Sequence, residues 1–277
     1  MAQHTATKRQ QRTRGARNIG IILALILVVA LGLSFLGGKG DEDDVSTDTS
    51  STTSTTAAGD GIEVAYPGVG ASVKGDTPCP KADGSSERTT SFEKAPPTCI
   101  KEGTTYKATF VTSEGTFVVE LDQAKAPIAV NNFVVLAEYH YFDGVPFHRI
   151  VPGFVDQAGT PVDQADPLIE TNPGYTIPDE LPDVTGLASP ADAYPDGTLA
   201  MANRGPDTGS SQFFVVVNGG GAQFASNPNY TVFGHVAEGL DVATAINAFG
   251  SASTGPEDPG GVPTKPITIT SVTISEG

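Results

Sequence analysis

From Thr105 onward the hydrophobic positions come in short runs with a period of two, the mark of strands with one buried face. The runs "YKATFVT" at 106–112 and "TFVVELD" at 116–122 flank "SEG", a strand–turn–strand pattern. The period then changes in "APIAVNNFVVLAEYH". Pro127 suits a first helical turn, and Ile128, Val130, Phe133, Val134 and Ala137 share a helical face. Further strands are predicted at 145–150, 153–158, 198–202, 211–217 and 231–237, with a second helix over "GLDVATAINAF". The last run, "PITITSVTIS", alternates until Ser271, where the phase slips, so a bulge is expected there. Eight short strands and two helices predict a mainly β domain over 105–277, a closed eight-stranded antiparallel barrel with a helix over each end. Residues 160–197, rich in Pro, Asp and Gly, form one long loop region, and so long a loop is expected to be functional or held against the scaffold.

Upstream the pattern is different. Residues 19–36, "IGIILALILVVALGLSFL", are uncharged and almost wholly apolar. As a helix they would reach about 27 Å, near the thickness of a bilayer core. Lys8, Arg9, Arg12, Arg14 and Arg17 precede this run and "DEDD" follows it, which orients a single transmembrane helix with residues 1–18 as a cytoplasmic basic tail. The alternative is a cleaved signal peptide, although no clear A-x-A site follows. Both readings put the bulk of the chain outside the cytoplasm, and the anchor reading puts it at the cell membrane. Residues 37–60 are polar, acidic and Thr-rich without apolar periodicity, and are predicted to be a disordered linker. Residues 61–104, rich in Pro and Gly, are predicted to be an irregular extension of the main domain.

Composition narrows the chemistry. The chain has 277 residues, 32 Gly and 21 Pro, consistent with a turn-rich β fold. Its net charge is −16; outside residues 1–36 the balance is 11 bases against 32 acids. Such a body repels phosphate backbones, so nucleic acid is not an expected partner. Cys79 and Cys99 enclose a loop with no further metal-ligand pattern around it. In an oxidising compartment a disulfide is the expected state, with two free thiols as the alternative.

Several enzyme classes lack their residues. The histidines, His4, His140, His148 and His235, show no H-E-x-x-H or other ligand spacing, and no metal site is expected. There is no G-x-S-x-G elbow. The stretch "NGGGAQ" lacks the Lys-Ser/Thr of a phosphate loop and reads as a flexible turn, while Asp179, Glu180 and Asp183 in "IPDELPD" read as surface loop acids. What remains is an arginine between two phenylalanines in "FHRIVPGFVDQAG", residues 147–159. Alternation puts Phe147 and Arg149 on one face, and Val155 and Gln157 on one face beyond the Pro-Gly turn. A large cation suits such a face where it opens on a groove, or at a barrel rim where an ion pair caps it.

That segment, followed by "MANRGPDTGSSQFF" at 201–214 and "YTVFGHV" at 230–236, resembles the cyclophilin-type peptidyl-prolyl cis-trans isomerases, and the resemblance spans about residues 105–275. Membrane-anchored bacterial members have a similar layout. The resemblance implies an eight-stranded barrel with a hydrophobic groove for an Xaa-Pro bond, and no cofactor. By position it implies Arg149, Phe154 and Gln157 as catalytic residues. Val155, Ala202, Asn203, Gln212, Phe213, Phe224 and Tyr230 are implied to bind substrate; Phe224 aligns only with a one-residue gap. Phe213 and Phe214 are adjacent, so only one can face inward, and the resemblance is read here as giving Phe213 to the groove. The implied partners are proline-containing peptides and unfolded secreted proteins. One departure bears on activity: the family's Gly-Gly-Asp after the glutamine is Ala158-Gly159-Thr160 here. If position 158 needs a positive φ, alanine strains the turn and leaves a catalytically weak proline-peptide binding module or chaperone as the alternative function.

Overall fold

A computed structural model describes residues 68–161, 172–254 and 260–277. The basic tail, the apolar run 19–36 and the linker 37–60 lie outside the described residues. Among the described residues no helix is long and apolar enough to cross a membrane.

Two short strands, β1 (Ala71–Val73) and β2 (Thr89–Phe92), pair in parallel within the extension. The main sheet follows the period-two pattern closely. β3 (Tyr106–Thr112) and β4 (Gly115–Leu121) form the predicted hairpin, in register from Tyr106↔Leu121 to Thr112↔Gly115. Their alternate residues Ala108, Phe110, Phe117 and Val119 are sealed inside. The other strands are β5 (Val145–Pro146), β6 (Arg149–Val151), β7 (Val155–Ala158), β8 (Thr198–Met201), β9 (Phe213–Val216), β10 (Val232–Glu238) and β11 (Thr268–Glu276). Along β11 the register against β3 shifts between Ile269 and Ser271, the expected bulge.

The sheet runs β5-β11-β3-β4-β10-β8-β9-β7-β6, antiparallel throughout. It is therefore a curled nine-stranded sheet, not the closed eight-stranded ladder expected from the sequence. The predicted strand 145–150 is broken in two: β5 pairs with β11, and β6 pairs with β7. Pro146 has no N–H to continue a ladder. The ends β5 and β6 are consecutive in the chain, so the backbone at Phe147 and His148 joins them. The Phe147 N–H donates to Ile267 O (2.9 Å) and the Ile150 N–H to Gly261 O (2.7 Å), which satisfies the edge without a strand pair.

Two helices accompany the sheet, α1 (Pro127–Glu138) and α2 (Leu240–Asn247). Pro127 stands in the first turn of α1 as expected, but the N-cap Ala126 offers no side-chain acceptor. Glu180 supplies it from the long loop: its carboxylate accepts from the N–H groups of Ile128 (3.0 Å) and Ala129 (2.9 Å). A negative charge there also meets the positive end of the helix dipole. The predicted apolar face of α1 is corrected at one end and widened overall. Ile128 is 43% exposed, whereas every residue from Ala129 to Ala137 is buried. The extension covers the side that would otherwise meet water. Asn131 accepts from the Cys99 (2.7 Å) and Ile100 (3.2 Å) N–H groups and donates to Pro97 O (3.0 Å). Cys79 and Cys99 are disulfide-bonded, with Cα atoms 5.5 Å apart. Phe92 enters the main core edge-on to Tyr139, ring centroids 5.3 Å apart. The centre of that core is a phenylalanine stack in which Phe110 lies on Phe117 (4.7 Å), Phe133 on Phe142 (5.0 Å), and Phe213 stands edge-on to Phe110 (5.7 Å).

Candidate active site

The strand register produces two opposite faces on β6, β7, β9, β8 and β10. One row runs Ile150↔Asp156↔Val215↔Leu199↔Gly234, and its apolar members Ile150, Leu199 and Val215 belong to the main core. The row one residue out of phase runs Arg149↔Gln157↔Phe214↔Ala200↔Val232. There Phe214 and Ala200 join a second apolar cluster with Val155, Tyr194, Val216 and Phe224, against which Phe154, Ala202, Tyr230 and Val232 are half-buried. The arginine of the opening motif therefore sits in line with an aromatic pocket on the outer face.

The pocket centres on Phe224. Its ring lies 5.1 Å from Phe154, 4.6 Å from Tyr194, 5.5 Å from Tyr230 and 5.6 Å from Phe214, nearly parallel to the last. Tyr230 stands edge-on to Phe214 at 5.3 Å. The segment read as a flexible glycine turn is a 3-10 turn, Gly220–Phe224, that delivers this ring. A Cβ on Gly220 would overlap the Phe154 carbonyl, and one on Gly221 would overlap that of Tyr194, so the glycines allow close packing. Beneath the rim, the Tyr194 O–H donates to Tyr230 O (3.0 Å) and accepts from the Tyr230 N–H (3.2 Å), fixing the backbone there. Burial raises the Tyr194 phenol well above its ordinary pKa, so it keeps its proton at neutral pH.

Beside the rings runs a polar chain. Arg149 Nη1 donates to Gln157 Oε1 (3.3 Å), and Gln157 Nε2 donates to Gln212 Oε1 (2.8 Å). Burial lowers the Arg149 pKa, with Tyr230 opposing it in part, yet a guanidinium stays charged at neutral pH. Its stem rests on the segment after α2: a Cβ on Gly261 would stand 2.9 Å from Arg149 Cγ. The Ala202 N–H donates to Gln212 O (2.9 Å), tying the two flanks of the pocket together. The Asn203 side chain donates to Asn229 O (2.8 Å) on the loop before β10 and accepts from the Gly205 N–H (3.3 Å) in its own loop. Ala158 lies in β7 without a positive φ; Gly159 carries it instead (φ 99°), and a Cβ there would meet Ser211 O. The "QAGT" turn is therefore unstrained.

Arg149, Phe154, Val155, Gln157, Ala202, Gln212, Phe224 and Tyr230 are brought together, with Asn203 on the adjoining loop. Phe213 is corrected: it is fully buried among Phe110, Phe133 and Phe142, on the core side of β9. Phe214 is the groove phenylalanine. Alternation carried that signal, because Gln212 and Phe214 are two apart and share a face. Tyr194 was missed as well, and nothing in "ADAYPDG" marks it. The loop acids have structural partners. Glu180 caps α1, and Asp179 and Asp207 accept from each other's backbone N–H at 3.0 and 2.9 Å.

A curled antiparallel sheet bearing an outer aromatic pocket, flanked by one arginine and two glutamine amides, defines a mainly β protein with an apolar pocket beside a polar rim. The particular family follows from comparison. The chain belongs to the family described as cyclophilin type peptidyl-prolyl cis-trans isomerase/CLD, whose model matches residues 107–274. It is 38% identical over 175 residues to the "Probable peptidyl-prolyl cis-trans isomerase B" of Mycobacterium tuberculosis, which covers 59% of this chain and 53% of that protein. This chain thus spans about half the length of that relative. It is 40% identical over 124 residues to peptidyl-prolyl cis-trans isomerase B of Bacillus subtilis, covering 45% and 78% of the two chains. A solved cyclophilin-type isomerase of Cryptosporidium parvum is 22% identical, with a TM-score of 0.48 over 62% of this chain and 99% of that one.

Proposed function

We propose that this chain is a peptidyl-prolyl cis-trans isomerase that assists folding of extracytoplasmic proteins, with residues 19–36 holding it to the membrane. The observation that carries the catalytic part is a half-buried guanidinium in register with an aromatic pocket, steadied by the Gln157–Gln212 chain. Rotating an Xaa-Pro amide means passing a barrier of about 18–20 kcal/mol set by C–N resonance. In the twisted form the nitrogen turns pyramidal and regains its lone pair. A fixed donor aimed at that lone pair stabilises the twisted amide more than the planar one, which is the requirement for catalysis. Arg149 is such a donor, and its loss of freedom is already met by Gln157 and by the floor at Gly261. Phe154, Phe214 and Phe224 grip the proline ring, Val155 adds apolar contact, and Gln157 and Gln212 hold neighbouring substrate backbone. No bond breaks, so no nucleophile takes part.

The extracytoplasmic part is supported by the disulfide, which suits an oxidising compartment, and by the uncharged run 19–36 behind five basic residues. The reading as a weak binding module depended on strain at Ala158, and its ordinary backbone speaks against it. The test is Arg149→Ala, assayed by exchange NMR on a proline tetrapeptide. Turnover should fall by at least about 100-fold, the worth of a key electrostatic donor, with the fold unchanged by circular dichroism. A folded variant with near-full turnover removes Arg149 from the mechanism.

A further inference from the structure

The turn between β6 and β7, through Pro152 and Gly153, sets where Arg149 stands relative to Phe154. Behind it lies Asn247, the last residue of α2 and only 2% exposed. Its side-chain amide is saturated. Nδ2 donates to Val151 O (3.0 Å) and Asp156 Oδ1 (2.7 Å), while Oδ1 accepts from the Gly153 N–H (2.8 Å) and Asn218 Nδ2 (3.0 Å). Three of these four partners belong to β6, the turn and β7: Val151 and Gly153 lie between Arg149 and Phe154 in the chain, and Asp156 follows them.

Asp156 is 1% exposed on the core face, an acid where the strand pattern calls for an apolar residue. Among the described residues its Oδ2 has no hydrogen-bond partner. Among the described residues, its cross-strand partners Ile150 on β6 and Val215 on β9 and its hydrogen-bond partner Asn247 on α2 carry no charge. Burial pushes the carboxyl up to about 7, with the Asn247 hydrogen bond opposing. An unpaired carboxylate in such a place is expensive, and a valine of similar size would pack without that penalty.

We infer that Asn247 and Asp156 are positioning residues of the groove, a clamp that fixes the Pro152–Gly153 turn and, through it, Arg149 and Phe154. The inference rests on the isomerase reading for its activity readout, but the clamp also has a readout of its own. With Asp156 protonated, the turn is held at Val151 O and the Gly153 N–H. Above the midpoint the buried charge seeks water, the Asn247 amide is drawn to the carboxylate, and the turn loosens.

The test compares the full-length chain with Asp156→Asn and Asn247→Ala between about pH 6 and about pH 8, by peptide exchange NMR and by the Arg149 Nε–Hε resonance. Wild-type turnover should fall as pH rises, with a midpoint of about 7, and the Arg149 resonance should move over the same range. Both profiles should be flat in Asp156→Asn. Asn247→Ala should lower kcat about tenfold at unchanged KM, as a displaced catalytic group does. If Asn247→Ala does not fold, Asp156→Asn decides alone. A wild-type pH response that survives in Asp156→Asn, or no wild-type response in either readout, overturns the clamp. A wild-type chain without turnover at any pH overturns the isomerase reading instead, and the Arg149 resonance still decides the clamp.

Discussion

Phe213 lies sealed among Phe110, Phe133 and Phe142, while Phe214, the next residue, lies against Phe224 and Tyr230 on the other face. Two rings of the same chemistry thus serve stability and binding separately, because successive side chains of a strand point to opposite faces. The difference is measurable. Phe213→Ala should lower the unfolding free energy by about 3–5 kcal/mol in urea denaturation while turnover per folded molecule is kept. Phe214→Ala should raise KM for a proline peptide about tenfold, the worth of ~1.4 kcal/mol, with the smaller stability loss of the pair. An exchange of the two outcomes would return the groove to Phe213. Gly261 shows the same economy of placement, since the absence of its Cβ leaves room for the Arg149 stem.

Among the elements, α1 depends most on distant chain. Its own N-cap position is an alanine, and its cap is Glu180, which also donates its backbone N–H to Thr231 Oγ1 (2.7 Å), next to Tyr230. The long Pro-rich loop is thereby fastened to the helix at one point and to the groove rim at another. Glu180→Ala should reduce stability by ~1 kcal/mol, as loss of a cap does, and lower the thermal midpoint by several degrees. Turnover below that midpoint should be unchanged, because the Thr231 bond is made by the backbone. A midpoint equal to the wild type would mean that water caps the helix as well as Glu180 does.

At the scale of the whole molecule, the described part of the extension, residues 68–104, packs against α1 and the main core. Its contacts run to α1 through Asn131, to Tyr139 through Phe92, and to Asp143 O through Arg88 (3.3 Å). None of these partners lines the groove. Reducing the Cys79–Cys99 bond should therefore cost about 3 kcal/mol of stability, as expected for a loop of this length, and leave turnover of the folded protein unaltered. Faster turnover on reduction would mean that the extension restrains the groove after all.

Local regularities were legible in the chain itself. Alternation located the β3–β4 hairpin and the bulge at Ser271, Pro127 located the start of α1, and three short motifs located Arg149, Gln157 and Tyr230. These features follow from backbone geometry and steric limits that act over a few residues, so a linear string carries them. Other features were decided only when distant strands came into register. Which of two phenylalanines faces the groove, that Tyr194 supports it, that Glu180 caps α1, and that Asn247 meets Asp156 all depend on contacts between residues far apart in sequence. Such contacts are chosen by loop closure and packing against the rest of the molecule, and a period of two or a motif does not encode them.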